Sequence, residues 1–212
     1  PRCSLIELCF KEEDNINKLF NEYYELKNML QNKYIIFFDN GSTDNTREAI
    51  KKNLNKYNLD NFYLKSIDKN YGYGFGLKSA LSDLNTEYIG FTHADLQIKA
   101  SETIEIIDQA LNTGYKGVLM GKRIGRSYFD KVFTFFMRIL VFIFKGYYFK
   151  DINAQPKIFL NSIFEFDKFP NDFNFDLSLL IKAKKKKLNI NYIDITFHPR
   201  FAGKPKGGGS LI

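Results

Sequence analysis

Only two cysteines occur in the 212 residues, Cys3 and Cys9, and both belong to the strand-like run that reaches Phe10. On an extended chain they would stand roughly 20 Å apart, too far for a disulfide between them. They are expected to be buried or free thiols, as in a reducing compartment. No zinc spacing exists, tryptophan is absent, and no internal repeat is visible. The amino-terminal residues show no charged segment followed by a long apolar run, so no signal peptide is expected. Phe129 to Phe149 is dense in Phe, Ile, Leu and Val, but Lys131, Arg138 and Lys145 break it. It is too interrupted for an apolar span of about 20 residues. Gly72, Gly74 and Gly76 do not form G-x-G-x-x-G, because Leu77 fills the last position. Gly76-Leu77-Lys78 is no Walker loop either, which counts against nicotinamide cofactors and P-loop hydrolysis.

What is present is an ordinary globular composition, 44% hydrophobic and 26% charged, with a length that fits one domain. Phe 22 and Tyr 13 make the chain aromatic-rich, and its net charge is +7. A basic balance favours anionic partners such as phosphorylated ligands, an anionic membrane surface or nucleic acid.

Strand and helix patterns alternate. Ser4 to Phe10, Tyr34 to Phe38, Phe62 to Ser66, Tyr88 to Thr92, Gly117 to Gly121 and Tyr192 to Phe197 read as strands. Helical spacing runs from Glu13 to Leu30, from Thr43 or Asp44 to about Asn55, from Phe75 to Leu84, from a Ser101 cap to Asn112, and from Asp176 to Lys187. This order predicts an α/β fold with a mostly parallel, doubly wound sheet. The aromatic segment wraps apolar residues nearly all round a helix, which is therefore either buried or laid in a membrane interface. Arg200 to Ser210 is basic and glycine-rich, hence expected to be mobile.

Three constellations could carry chemistry. At the end of a strand, alternation puts His93 and Asp95 on one side and Ala94 on the other. Open α/β sheets bind ligands at that edge, and Asp95 suits a divalent cation that could hold a diphosphate. Asp39-Asn40-Gly41-Ser42-Thr43-Asp44 could bind a base or ribose, or be an Asx turn with a helix cap. Asn70 to Gly76 could bring backbone amides to phosphate oxygens, or be a plain glycine-rich connection. Arg123, Arg126, Lys131, Arg138, Arg200, Lys204 and Lys206 could bind phosphate or face solvent.

Taken in order, Glu12-Glu13-Asp14-Asn15-Ile16, Asp39 to Asp44, Asn70-x-Gly72-x-Gly74, His93-Ala94-Asp95-Leu96-Gln97, Gly121-Lys122-Arg123, Asp151 with Gln155-Pro156-Lys157, and Arg200-x-x-Gly203 resemble the family 2 glycosyltransferases of GT-A fold. Within them the chain is similar to the polyprenyl-phosphate, dolichyl-phosphate mannose synthase-like branch. The resemblance implies one GT-A catalytic domain over 1–212, with a nucleotide-sugar part at 1–125 and an aromatic-rich, membrane-facing acceptor part at 126–212. It implies a donor site of Glu12, Asp39, Asn40, Gly41, Ser42, Asp44, Gly72, Lys78, His93, Ala94, Asp95 and Gln97. Asp95, Gln97 and His93 would hold Mg²⁺ or Mn²⁺. Arg123, Arg126, Lys131, Arg138, Lys204 and Lys206 would serve the acceptor or its phosphate, and Asp95, Arg200 and Asp176 the reaction. Departures from the family pattern are His93 and Asn40 where acids usually stand, Lys11 for Asn, and Pro205 for Ser.

The expected activity is inverting transfer of a sugar from a GDP- or UDP-linked donor to a polyprenyl phosphate, peripherally at the cytoplasmic face of a membrane, with no nucleic-acid partner. Transfer to a sugar hydroxyl in polysaccharide synthesis would need a base, for which Asp176 is the candidate. A reading of another class is a non-catalytic membrane or nucleic-acid binding module.

Overall fold

The computed structural model describes residues 2–126 and 128–203, apart from the side chains of 129–131 and 133. Among the described residues, β1 (Cys3–Cys9), β2 (Lys33–Asn40), β3 (Phe62–Ile67), β4 (Tyr88–His93), β5 (Val118–Ile124), β6 (Lys157–Leu160) and β7 (Ile190–Thr196) form one sheet. The strand order is β3-β2-β1-β4-β6-β5-β7. All neighbours pair in parallel except β6, which is antiparallel to β4 and to β5. The helices are α1 (Glu13–Glu25), α2 (Thr46–Tyr57), α3 (Tyr73–Leu81), α4 (Ala100–Thr113), α5 (Tyr128–Lys145) and α6 (Phe175–Lys185).

The expected mostly parallel, doubly wound sheet is what forms. β1 shows why its sequence is almost uniformly apolar. Cys3, Leu5 and Cys9 pack with Ile16, Phe20, Ile104 and Ile107 from α1 and α4 on one face. Ile6 and Leu8 pack with Leu77, Leu179 and Leu180 from α3 and α6 on the other. A strand covered on both faces must be apolar in both alternating sets. Both cysteines are buried and neither is in a disulfide, and burial pushes the Cys3 thiol up to about 12.

Two local expectations change, and one open alternative is narrowed. The four-residue β6 falls where no strand was read, because it starts with Lys157, a fully buried lysine. Ser101 does not cap α4, which begins at Ala100, whose N–H donates to the Glu22 carboxylate at 3.0 Å. The aromatic segment is a helix but is not buried. Among the described side chains of α5 only Val141 is buried, while Phe135, Phe136, Leu140, Phe142, Ile143 and Phe144 are exposed; Phe149, past the helix, is buried. No helix among the described residues is long and apolar enough to cross a membrane.

Candidate active site at the carboxyl edge of the sheet

β1, β2 and β4 are parallel neighbours, so the segments leaving them meet along one edge. The loop after β1 is stitched to the loop after β2. Lys11 N–H donates to Ser42 Oγ at 3.0 Å, Glu12 N–H to Thr46 Oγ1 at 2.8 Å, and Asn45 N–H to Glu13 at 2.8 Å. Gly41 has φ +70, and a Cβ there would collide with the backbone of Lys69 and Asn70. Only glycine lets this loop approach the one after β3 so closely.

Asp39 is fully enclosed. Its Oδ1 accepts the Ser42 N–H at 3.0 Å and its Oδ2 pairs with Arg47 Nε at 2.8 Å. Arg47 also donates to the Ile67 carbonyl at 2.7 Å. This arginine carries no signal of its own in the motif, although it follows the turn within the first helical residues of α2. Asn40 lies under α3, packed where a Cβ on Gly76 would sit, and donates to the Gly72 carbonyl at 3.4 Å. Asp44 accepts the Thr46 N–H at 3.1 Å, so the Asx-turn alternative describes its contacts.

The segment after β4 is sharply bent. Leu96 has φ +59, a left-handed backbone that costs a non-glycine residue about 1–2 kcal/mol. Burial of its side chain among apolar neighbours offsets that cost. The bend returns the Gln97 N–H to Asp95 Oδ1 at 3.1 Å. Arg200, beyond β7, then closes on the same point. Its Nη2 lies 2.8 Å from Asp95 Oδ2 and 3.4 Å from Gln97 Oε1, while Nη1 lies 3.4 Å from Glu12 Oε1. Main-chain bonding supports the approach, since His198 N–H donates to the Gln97 carbonyl at 2.8 Å.

Three of the expected residues, Glu12, Asp95 and Gln97, therefore present oxygens to one cationic group. A donor set that gathers a guanidinium suits a divalent cation. No group of three or more His, Cys, Asp or Glu able to hold a metal occurs among the described residues. Mg²⁺ bound with substrate phosphates commonly uses only one or two protein carboxylates, with water completing its shell. His93 turns its ring to Tyr73, with centroids 5.6 Å apart. Burial lowers the His93 pKa, against the pull of Asp95 and Asp176.

Below this corner, Glu7 on β1 is fully buried and accepts a hydrogen bond from the Tyr23 hydroxyl. Burial raises its pKa to about 8; the Tyr23 bond opposes the rise, and the charges of Asp95 and Glu22 add to it.

Other expected residues are engaged elsewhere. Lys78, expected at the donor, donates to the Phe169 carbonyl at 3.2 Å. The glycine-rich turn does not open toward a ligand at Phe75, whose N–H donates to the Asn171 carbonyl at 3.0 Å. A Cβ on Gly72 or Gly74 would strike the 170–172 backbone, so these glycines admit that segment. Arg123 is clamped by Asp151, with Nε to Oδ2 at 2.9 Å and Nη2 to Oδ1 at 2.6 Å, and its charge holds the Asp151 carboxyl below the usual range against the opposing effect of burial. Arg126 donates to Thr134 at 2.7 Å, and Arg138 lies over the Tyr148 ring at 4.5 Å. The Lys131 side chain, Lys204 and Lys206 lie outside the described residues. Asp176 is buried and pairs with Lys157, and it also accepts bonds from Tyr73 and Gln155.

A mostly parallel sheet with an antiparallel strand set inside it, and acids at its carboxyl edge, defines a GT-A type α/β fold. Solved structures share it. Glucosyl-3-phosphoglycerate synthase from Mycobacterium tuberculosis, in complex with Mn²⁺, UDP and glucosyl-3-phosphoglycerate, matches with TM-score 0.73 and 14% identity, over 96% of this chain and 72% of that one. A mannosyltransferase from Pyrobaculum calidifontis, in complex with GDP-Man and Mn²⁺, matches with TM-score 0.69 and 18% identity, over 92% of this chain and 56% of that one.

The chain belongs to glycosyl transferase family 2, whose pattern matches residues 4–171. Dolichyl-phosphate beta-glucosyltransferase of Saccharomyces cerevisiae is 29% identical over 189 residues, 77% of this chain and 56% of that protein. That likeness agrees with the polyprenyl-phosphate branch read from the motifs. The chain thus spans little more than half the length of this relative.

Proposed function

We propose that the protein transfers a sugar from a nucleoside diphosphate sugar, GDP- or UDP-linked, to a polyprenyl phosphate at a membrane surface, inverting the anomeric carbon. The observation that carries this reading is the exposed aromatic face of α5. This helix leaves from the carboxyl end of β5, which runs in the same direction as β4, so it starts from the edge that holds Asp95. Exposed Phe and Ile with Arg138 and Lys145 suit insertion into the headgroup boundary of anionic lipids. The yeast relative, named for a dolichyl-phosphate acceptor, supports the same acceptor class.

Asp95 and Gln97 would hold the divalent cation, Mg²⁺ or Mn²⁺. Once bound, the cation would neutralise charge on the departing diphosphate. Arg200 would turn from Asp95 to the phosphates, a movement of one side chain on a loop anchored at Gln97. Asp39, held by Arg47 and Ser42, would brace the nucleotide end. The acceptor phosphate oxygen is already anionic, attacks in line, and needs no base. The enclosed state of Asp176 favours this acceptor over a sugar hydroxyl.

A thermal-shift screen of GDP and UDP with and without Mn²⁺ tests the donor half of the reading. Stabilisation by one nucleotide that depends on metal is expected, and its absence with both sinks it. Asp95→Ala should abolish transfer to polyprenyl phosphate in vesicles. Retained turnover would overturn the role of Asp95.

A further inference from the structure

We propose that Asp176 is a positioning residue that acts through the Tyr73 hydroxyl, fixing the Tyr73 ring against the His93 imidazole at the end of β4. Its importance for transfer rests on the functional reading above; the positioning itself does not.

Both oxygens of Asp176 are committed. Oδ2 accepts the Tyr73 O–H at 2.8 Å, while Oδ1 takes Gln155 Nε2 at 3.1 Å and the Lys157 ammonium. Gln155 Nε2 also reaches the Tyr73 oxygen at 3.2 Å, and Lys157 donates to the Ala154 carbonyl at 2.7 Å. A general base needs a lone pair within reach of the acceptor's proton. Here the lone pairs point into the protein.

A buried ion pair is a poor stabiliser compared with apolar side chains of the same volume. Yet this one joins β6, α6 and α3 around a single hydroxyl. What the arrangement specifies is the place of an aromatic ring. Tyr73 faces His93 at 5.6 Å with an interplanar angle of 31°, and stacks on Phe173 at 5.3 Å and 13°. The ring is thus the wall behind His93, and the network removes its freedom to turn away.

The chain has only two histidines, His93 and His198. A ¹H–¹³C spectrum therefore resolves two sets of imidazole signals, and His198→Gln assigns them. Tyr73→Phe keeps the ring and removes its anchor; Asp176→Asn weakens the anchor. Each should shift or broaden the His93 signal and leave that of His198 in place. Each should also lower glycosyl transfer by about 10–100-fold, the usual effect of losing an orienting partner, with nucleoside diphosphate affinity held within about threefold. If Asp176→Asn fails to fold with Lys157 uncompensated, the double variant K157M/D176L removes both charges and should disturb His93 in the same way. An unmoved His93 signal in Tyr73→Phe and in whichever Asp176 variant folds overturns the proposal. So does a Tyr73→Phe protein with full transfer beside an Asp176→Asn protein with none. If the parent transfers no sugar but His93 responds as stated, the positioning stands and the functional reading falls.

Discussion

Helices α4 and α5 both carry apolar residues at helical spacing, and they meet opposite fates. α4 buries Ile104, Ile106, Ile107 and Leu111 on the sheet. α5 turns most of its large apolar side chains outward. The connections they make explain the difference. α4 links β4 to β5, which run parallel with β6 between them, so it must cross over the sheet and is laid upon it. α5 links β5 to β6, adjacent antiparallel strands that need no crossover. Nothing in the chain path presses α5 onto the core. Helical periodicity reports that a face is apolar; connectivity decides whether the protein or something else covers it.

The largest expected effect lies on the α4 side. Ile107→Ala should destabilise the fold by about 2–5 kcal/mol in urea unfolding, because a fully buried side chain leaves a cavity. A value below about 1 kcal/mol would mean that this face is not the rigid interior.

Glu7, on the same face, gives a pH test. Its carboxyl keeps its proton in the folded protein up to about pH 8, whereas the unfolded chain loses it near 4.5. Between those values the folded state binds more protons, so stability falls as pH rises, by about 1.4 kcal/mol per unit from this group. Glu7→Gln should remove that slope in unfolding curves taken from pH 5 to 7. An unchanged slope would show that Glu7 is ionised in the fold.

On the α5 side the expected loss is in binding rather than in folding. Replacing Phe142 and Phe144 together by Ser should weaken association with anionic vesicles by about tenfold or more, read by flotation. Equal flotation would remove the lipid interface. The smallest effect is Phe144→Ala, which should change unfolding stability by no more than about 0.5 kcal/mol, as for other exposed positions. A larger loss would make α5 part of the core and erase its contrast with α4.

Much of the fold was legible. Six of the seven strands among the described residues show themselves as apolar runs between turn residues, and βα alternation leads to a parallel sheet. β6 stayed hidden because a strand that opens with a buried lysine looks like a loop until Asp176 is placed against it. At the site, the Asp95 bend and the Asp39 turn could be found from strand ends and motif order. Arg47 and Tyr73 could not, since an arginine early in a helix and a tyrosine in a glycine-rich turn have many ordinary uses. For Lys78 and the glycines after Asn70 the sequence leaves both readings open for a related reason. The features that suit a phosphate loop also suit close packing against a backbone, here that of 169–172.

Strand-length and helix-length periodicity, with acids where strands stop, settled the α/β class and the edge of the sheet that matters. These are local properties, set by which residues share a face over a few positions. The tertiary structure alone decided which distant groups meet there: Arg200 on Asp95 and Glu12, Asp151 on Arg123, and Lys157, Gln155 and Tyr73 around Asp176. Strand order governs those meetings, and strand order follows from how the whole chain packs, which no short window of residues encodes.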